Sequence, residues 1–123
     1  MFRFRRVNID GKSITETRLA GAELKPGELV KLEGGKFVKA ETAEGRLYIV
    51  NPAFHEGKTI ADAIKAGETV VADYVEPGRE FAMRVAEGAY TKDKAIQLGD
   101  VTVAYCQEDV TLEAEDFIRV RVA

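Results

Sequence analysis

Nucleophilic catalysis of the Ser/His/acid kind needs a base beside the nucleophile, and the chain offers one serine, Ser13, one histidine, His55, and one cysteine, Cys106. Ser13 sits in Gly11-Lys-Ser-Ile-Thr15, which lacks the glycine on its far side that a nucleophile elbow requires. Cys106 ends the apolar run Val103-Ala-Tyr-Cys-Gln107, where a cysteine reads as a small buried hydrophobe. His55 lies in the turn-rich Asn51-Pro-Ala-Phe-His-Glu-Gly57 and has no second histidine to share a transition metal with, so it reads as a solvent-facing or capping side chain. The acidic groups Gln107-Glu-Asp109 and Glu113-Ala-Glu-Asp116 lack the spacing of a calcium loop and read as solvated turns. Gly34-Gly35 falls between two strand candidates, not between a strand and a helix, and so does not form a phosphate cradle. These residues predict a chain that is not an enzyme and carries no metal, cofactor or small-molecule substrate.

The sharpest local feature is Phe2-Arg-Phe-Arg-Arg6, which alternates aromatic and cationic side chains. It reads as an edge strand with buried rings and solvated arginines, or as an arm that docks on a neighbouring subunit. In the second case the aromatics anchor and the arginines pair with carboxylates, both being common hot-spot types. Phe2, Arg3, Phe4, Arg5 and Arg6 are therefore the candidate interface residues. Arg119 and Arg121 join them, because Phe117-Ile-Arg-Val-Arg-Val-Ala123 alternates apolar and basic positions and points both arginines outward. The alternative use of the same segment is a β-barrel nucleic-acid-binding module that stacks bases on the rings and pairs phosphates with the arginines.

The elements that must position these residues are short strands set off by a recurring turn. Leu24-Lys-Pro-Gly-Glu, Ile64-Lys-Ala-Gly-Glu, Val75-Glu-Pro-Gly-Arg and Leu112-Glu-Ala-Glu-Asp each precede an apolar run. Pro26 and Pro77 fix φ for the first central turn position and Gly27 and Gly78 tolerate positive φ at the next, which favours type II turns. Strands are expected over 2–9, 29–32, 36–40, 46–50, 69–74, 81–86, 95–98, 101–105 and 117–123, with 33–36 and 99–100 as hairpin connections. A short helix is expected over 59–65, with Thr59 and Asp62 at capping-box-like spacing. The fold class is mainly β, a small β-barrel, β-tulip-like or sandwich domain with that one short helix. Residues 1–10 form the arm or edge strand and 11–123 a single β domain.

A chain of 123 residues can bury an adequate core without staples. Its 32% charged and 46% hydrophobic residues are those of a folded domain. Eighteen basic against 21 acidic residues give a net charge of −3, which makes a nucleic-acid or anionic-membrane partner an unfavoured expectation. No apolar run approaches the ~20 residues of a membrane span, the start does not read as a signal peptide, and a lone cysteine suits synthesis in a reducing cytoplasm.

Val75-Glu-Pro-Gly-Arg-Glu-Phe81, Gly88-Ala-Tyr-Thr-Lys-Asp-Lys-Ala-Ile-Gln-Leu-Gly99, Val103-Ala-Tyr-Cys-Gln-Glu-Asp-Val110 and the closing Arg119-Val-Arg-Val122 follow one another in an order that resembles the head-decoration, or cement, proteins of tailed bacteriophages. The resemblance covers roughly the C-terminal half. It implies a compact β protein made in the bacterial host cytoplasm that binds the outer surface of the expanded capsid, stabilises the head and has no catalytic residues. Its partners would be the major capsid protein and itself, with a homotrimer favoured. The Phe/Arg-rich start and the segment 59–65 match no motif of that family.

Overall fold

The computed structural model describes all 123 residues and is mainly β. Eleven strands follow in chain order: β1 Thr15–Ala20, β2 Leu29–Glu33, β3 Lys36–Lys39, β4 Tyr48–Val50, β5 Thr69–Tyr74, β6 Glu80–Val85, β7 Gly88–Tyr90, β8 Ala95–Leu98, β9 Val101–Cys106, β10 Val110–Leu112 and β11 Asp116–Val122. The first five close a barrel in the order β1-β3-β2-β4-β5, with β1 parallel to β3 and antiparallel to β5. β6-β11-β9-β8 form a four-stranded sheet, and β10 pairs with β7 in a separate ribbon. No helix is long and apolar enough to cross a membrane.

The recurring turn is the unit of construction. Gly27, Gly67 and Gly78 hold φ of 86°, 88° and 87°, the left-handed value that a type II turn needs at its second central position. Each turn also clasps the end of a distant strand by two backbone bonds. Gly27 N donates to Val50 O and Val50 N to Glu28 O. Gly67 N donates to Ala20 O and Ala20 N to Glu68 O. Gly78 N donates to Val122 O and Val122 N to Arg79 O. The first two clasps are reciprocal: the turn after β1 holds the end of β4, and the turn after β4 holds the end of β1. Between them Leu24 and Ile64 exchange two backbone bonds of 2.8 and 2.7 Å. The glutamate closing each of these two turns reaches back, Glu28 Oε1 accepting from Lys25 N and Glu68 Oε1 from Lys65 N, both at 2.7 Å. In the third turn the charges are exchanged, and Arg79 Nε donates to Glu76. The fourth sequence copy, at 113–116, makes no such clasp.

Two hydrophobic cores result. Phe37, Leu24, Val30, Tyr48, Val50, Ile64 and Val70 fill the barrel. Phe81, Phe117, Ile118, Val120, Met83 and Val7 fill the space against the four-stranded sheet. Alternation along β4 joins them: Tyr48 and Val50 face the barrel core while Ile49 between them enters the other.

The helix expected over 59–65 does not form; the only helical element is a 3-10 turn at Phe54–Glu56. Residues four apart on a helix share one face, but here Ile60 is drawn into the sheet core and Ile64 into the barrel core, and the Ile64 backbone is committed to Leu24. The capping pair does form, with Thr59 N donating to Asp62 Oδ2 at 2.7 Å, but it closes a single turn. That backbone donor, seconded by the Thr59 hydroxyl, holds the Asp62 carboxyl below its ordinary pKa. The strand expected over 2–9 is reduced to one antiparallel bridge, Asn8 with Phe81. β1, β7 and β10 were not expected; β1 buries only Ala20 fully, so it shows no apolar alternation.

The clasps predict unequal costs at three glycines of equal φ. A Cβ at Gly27 would stand 2.4 Å from Phe117 Cε2 and 2.9 Å from Arg84 N, whereas one at Gly67 or Gly78 would meet nothing within 4 Å. Gly67→Ala and Gly78→Ala should each be destabilised by about 1–2 kcal/mol through left-handed backbone strain, and Gly27→Ala by roughly 1–3 kcal/mol beyond that through overpacking. Urea unfolding midpoints of the three variants check the order.

Candidate functional site

The Phe/Arg segment folds back on its own chain. Ala82 N donates to Val7 O at 2.8 Å and Ile9 N to Glu80 O at 3.3 Å, so residues 7–9 extend the sheet beyond β6 and Val7 is fully buried. Ahead of them, Arg3 N donates to Asp116 Oδ1 at 3.0 Å, and Arg3 Nη1 to Phe117 O at 2.8 Å and Glu108 Oε2 at 3.0 Å. Arg3 Nη2 grips the other oxygen of Glu108, making the pair bidentate. Phe2 meets the Phe117 ring edge-on at 5.1 Å. Phe4 packs against the sheet core beneath the Arg3 guanidinium, 5.5 Å from its ring centre. Phe2, Arg3 and Phe4 are thus engaged within one chain, and Arg5 and Arg6 stand exposed.

Arg119 and Arg121 point outward together from β11, whose burial alternates as the sequence pattern predicts. Arg119 Nε donates to Glu80 Oε1 at 2.8 Å, and Arg119 N to Glu108 Oε2 at 2.8 Å. Glu108 therefore ties the N-terminal segment to β11. Arg121 lies over the Tyr105 ring, 5.6 Å from its centre. The Arg3 guanidinium holds the Glu108 carboxyl below its ordinary pKa against the opposing effect of partial burial, and Glu108 in turn raises that of Arg3.

The residues with chemical potential, Cys106, Ser13 and His55, make no hydrogen bond to one another. Cys106 is fully buried, its Sγ directed at Glu108 O. Ser13 accepts from Asn8 Nδ2 and donates to Lys12 O. His55 sits in the 3-10 turn, 3.9 Å from Glu56. The acids of 107–109 and 113–116 disperse: Glu108 to Arg3, Asp109 to Lys92 N, Glu115 to Arg84, Asp116 to the backbone of Arg3 and Phe117. No three His, Cys, Asp or Glu side chains converge.

Two charged groups emerge that sequence reasoning passed over. Arg84 is only 5% exposed at its side chain. Its Nε donates to Pro26 O at 2.8 Å, Nη2 to Ile60 O at 3.2 Å and Nη1 to Glu115 at 3.0 Å, while Phe117 and Phe2 lie 4.8 and 5.0 Å from its guanidinium carbon. Asp73 is 3% exposed and accepts from Thr15 Oγ1 at 2.7 Å, Asn51 Nδ2 at 2.8 Å and Asn8 Nδ2 at 3.0 Å. Each had one signal in the sequence, a lone charge within an apolar run: Phe81-Ala-Met-Arg-Val85 and Val70-Val-Ala-Asp-Tyr74.

Arg84→Met should cost about 2–4 kcal/mol, since it strands the Pro26 and Ile60 carbonyls in a buried setting, and equilibrium unfolding measures it. Glu108→Gln should cost about 1 kcal/mol or less at neutral pH, because the pair is partly solvent-screened. The folded-state pKa of Glu108 lies below the unfolded one, so its contribution is present above about pH 4.3 and is lost as pH falls through the lower folded value. The stability gap between the parent and Glu108→Gln should therefore shrink between pH 7 and pH 3, as paired denaturant titrations would show.

No protein-family model and no curated protein sequence matches the chain.

Proposed function

We propose that this chain is a structural protein of a tailed-bacteriophage head, one that binds the outer surface of the expanded capsid and stabilises it. The observation that carries the reading is the outer face built by the N-terminal segment and β11. A basic surface is fixed there on a doubly cored β body, with Arg5, Arg6 and Arg121 exposed and engaged in no ion pair. The order of motifs in the C-terminal half supports the same role. A decoration protein needs no deep site, because many copies making modest contacts to a repeating lattice hold capsomers together by multivalency. Preference for the expanded shell over its precursor stabilises that shell by linkage. The major capsid protein and further copies of this chain, most simply three, are the partners in this reading. Its place is the outside of the virion.

The nucleic-acid reading has weaker support. Arg3 and Arg119 are paired with Glu108 and Glu80, which interrupts the run of free cations a phosphate backbone would require. Steeply salt-dependent binding to single strands would restore it.

Added to expanded heads that lack it, the chain should saturate at a fixed stoichiometry and raise their resistance to heat. Arg5→Glu with Arg6→Glu should weaken that binding at least tenfold. Because both side chains are exposed, unfolding should stay within about 0.5 kcal/mol of the parent. Virions of the source phage that contain no copy of the chain would overturn the reading.

A further inference from the structure

We infer that the concavity between the N-terminal segment, β1, β5 and the Phe54–Glu56 turn is a binding site for a neutral saccharide. This does not rest on the capsid reading. The concavity is shallow and open to solvent, with room for about 470 Å³, the volume of a small-molecule ligand site.

The Asp73 carboxylate is among its lining groups and is locked in place. Thr15 donates to Oδ1, and Asn8 and Asn51 donate to Oδ2. An ionised carboxylate offers about four lone-pair positions. Three are occupied, and on a residue only 3% exposed the carboxylate serves to fix the two asparagines. Asn51 uses a single amide hydrogen on Asp73; its other hydrogen and its carbonyl oxygen meet no protein partner. The Asn51 amide, held by Asp73, therefore offers the concavity a fixed donor and a fixed acceptor. Neighbouring hydroxyls on a sugar ring fit that array, each able to donate and accept at once.

The wall is the Phe54 ring, which is 58% exposed and belongs to neither core. A large apolar ring left in water beside convergent polar groups is the element that the C–H face of a pyranose covers.

Charge decides against other ligands. Arg6 and Asp73 both line the concavity, together with His55 and two asparagines. A strongly anionic or cationic ligand meets both signs and gains little net attraction. A neutral polyol can satisfy donors and acceptors alike.

Saturation-transfer NMR on the full chain, with glucose, galactose, mannose and N-acetylglucosamine as separate probes, tests the site. The expected result is transfer to ring C–H protons of at least one sugar, reduced at least tenfold in Phe54→Ala and in Asn51→Ala, and retained in Val101→Ala, which removes an exposed apolar side chain elsewhere. Phe54 is exposed, so its truncation leaves the fold intact, and the backbone spectrum verifies this. No transfer to any of the four sugars would overturn the inference, as would transfer undiminished in Phe54→Ala, or stronger binding of inorganic phosphate or of arginine methyl ester than of every sugar.

Discussion

Arg84 keeps a full positive charge on a side chain almost removed from water, and what surrounds it answers that charge. A buried guanidinium is costly unless its donors are met. They are met by carbonyls of the barrel turn at Pro26 and of the segment at Ile60, by Glu115, and by the faces of Phe117 and Phe2. The barrel, the 60s segment, β11 and the N-terminal segment are therefore held in one arrangement by one residue. Lysine could not substitute, since it lacks the planar fork that bonds in three directions while stacking between rings. Gly27 belongs to the same contact: its carbonyl accepts from Arg84 N at 3.0 Å, and only a residue without a side chain leaves room for Phe117.

Around that centre the fold is made stiff by repetition. Three turns of the same φ each seize the end of a strand far away in sequence, and two of them seize each other's strands. β4, apolar on both faces, belongs to both cores at once. The consequence for function is a body whose surface features keep fixed relative positions. The capsid role proposed above would benefit from this, because little conformational freedom would be lost on binding.

The N-terminal segment illustrates how the surface proposed to meet a capsid is built. Its rings and first arginine are used internally, on Phe117 and Glu108, while Arg5 and Arg6 remain on the outside. The segment thus presents charge from a fixed platform instead of reaching away as a loose arm. Its continuation through Asn8 to Asp73 also makes it one wall of the concavity beside Phe54.

By itself the sequence determined what neighbouring residues can dictate. Pro-Gly and Ala-Gly pairs specified the turns, because φ preference is a property of the residue in place. Apolar alternation placed β5 and β8 at their observed limits and turned Arg119 and Arg121 outward, because a strand's period is local. Tertiary structure alone decided the rest. Thr59 and Asp62 signalled a helix start, but Ile60 and Ile64 were claimed by separate cores and the turn stopped there. β1 is a strand because β3 and β5 supply its hydrogen bonds, although its side chains are mostly wet. The partners of Arg84 and Asp73 come from segments distant in sequence, and a buried charge can be recognised only once the chain has closed around it.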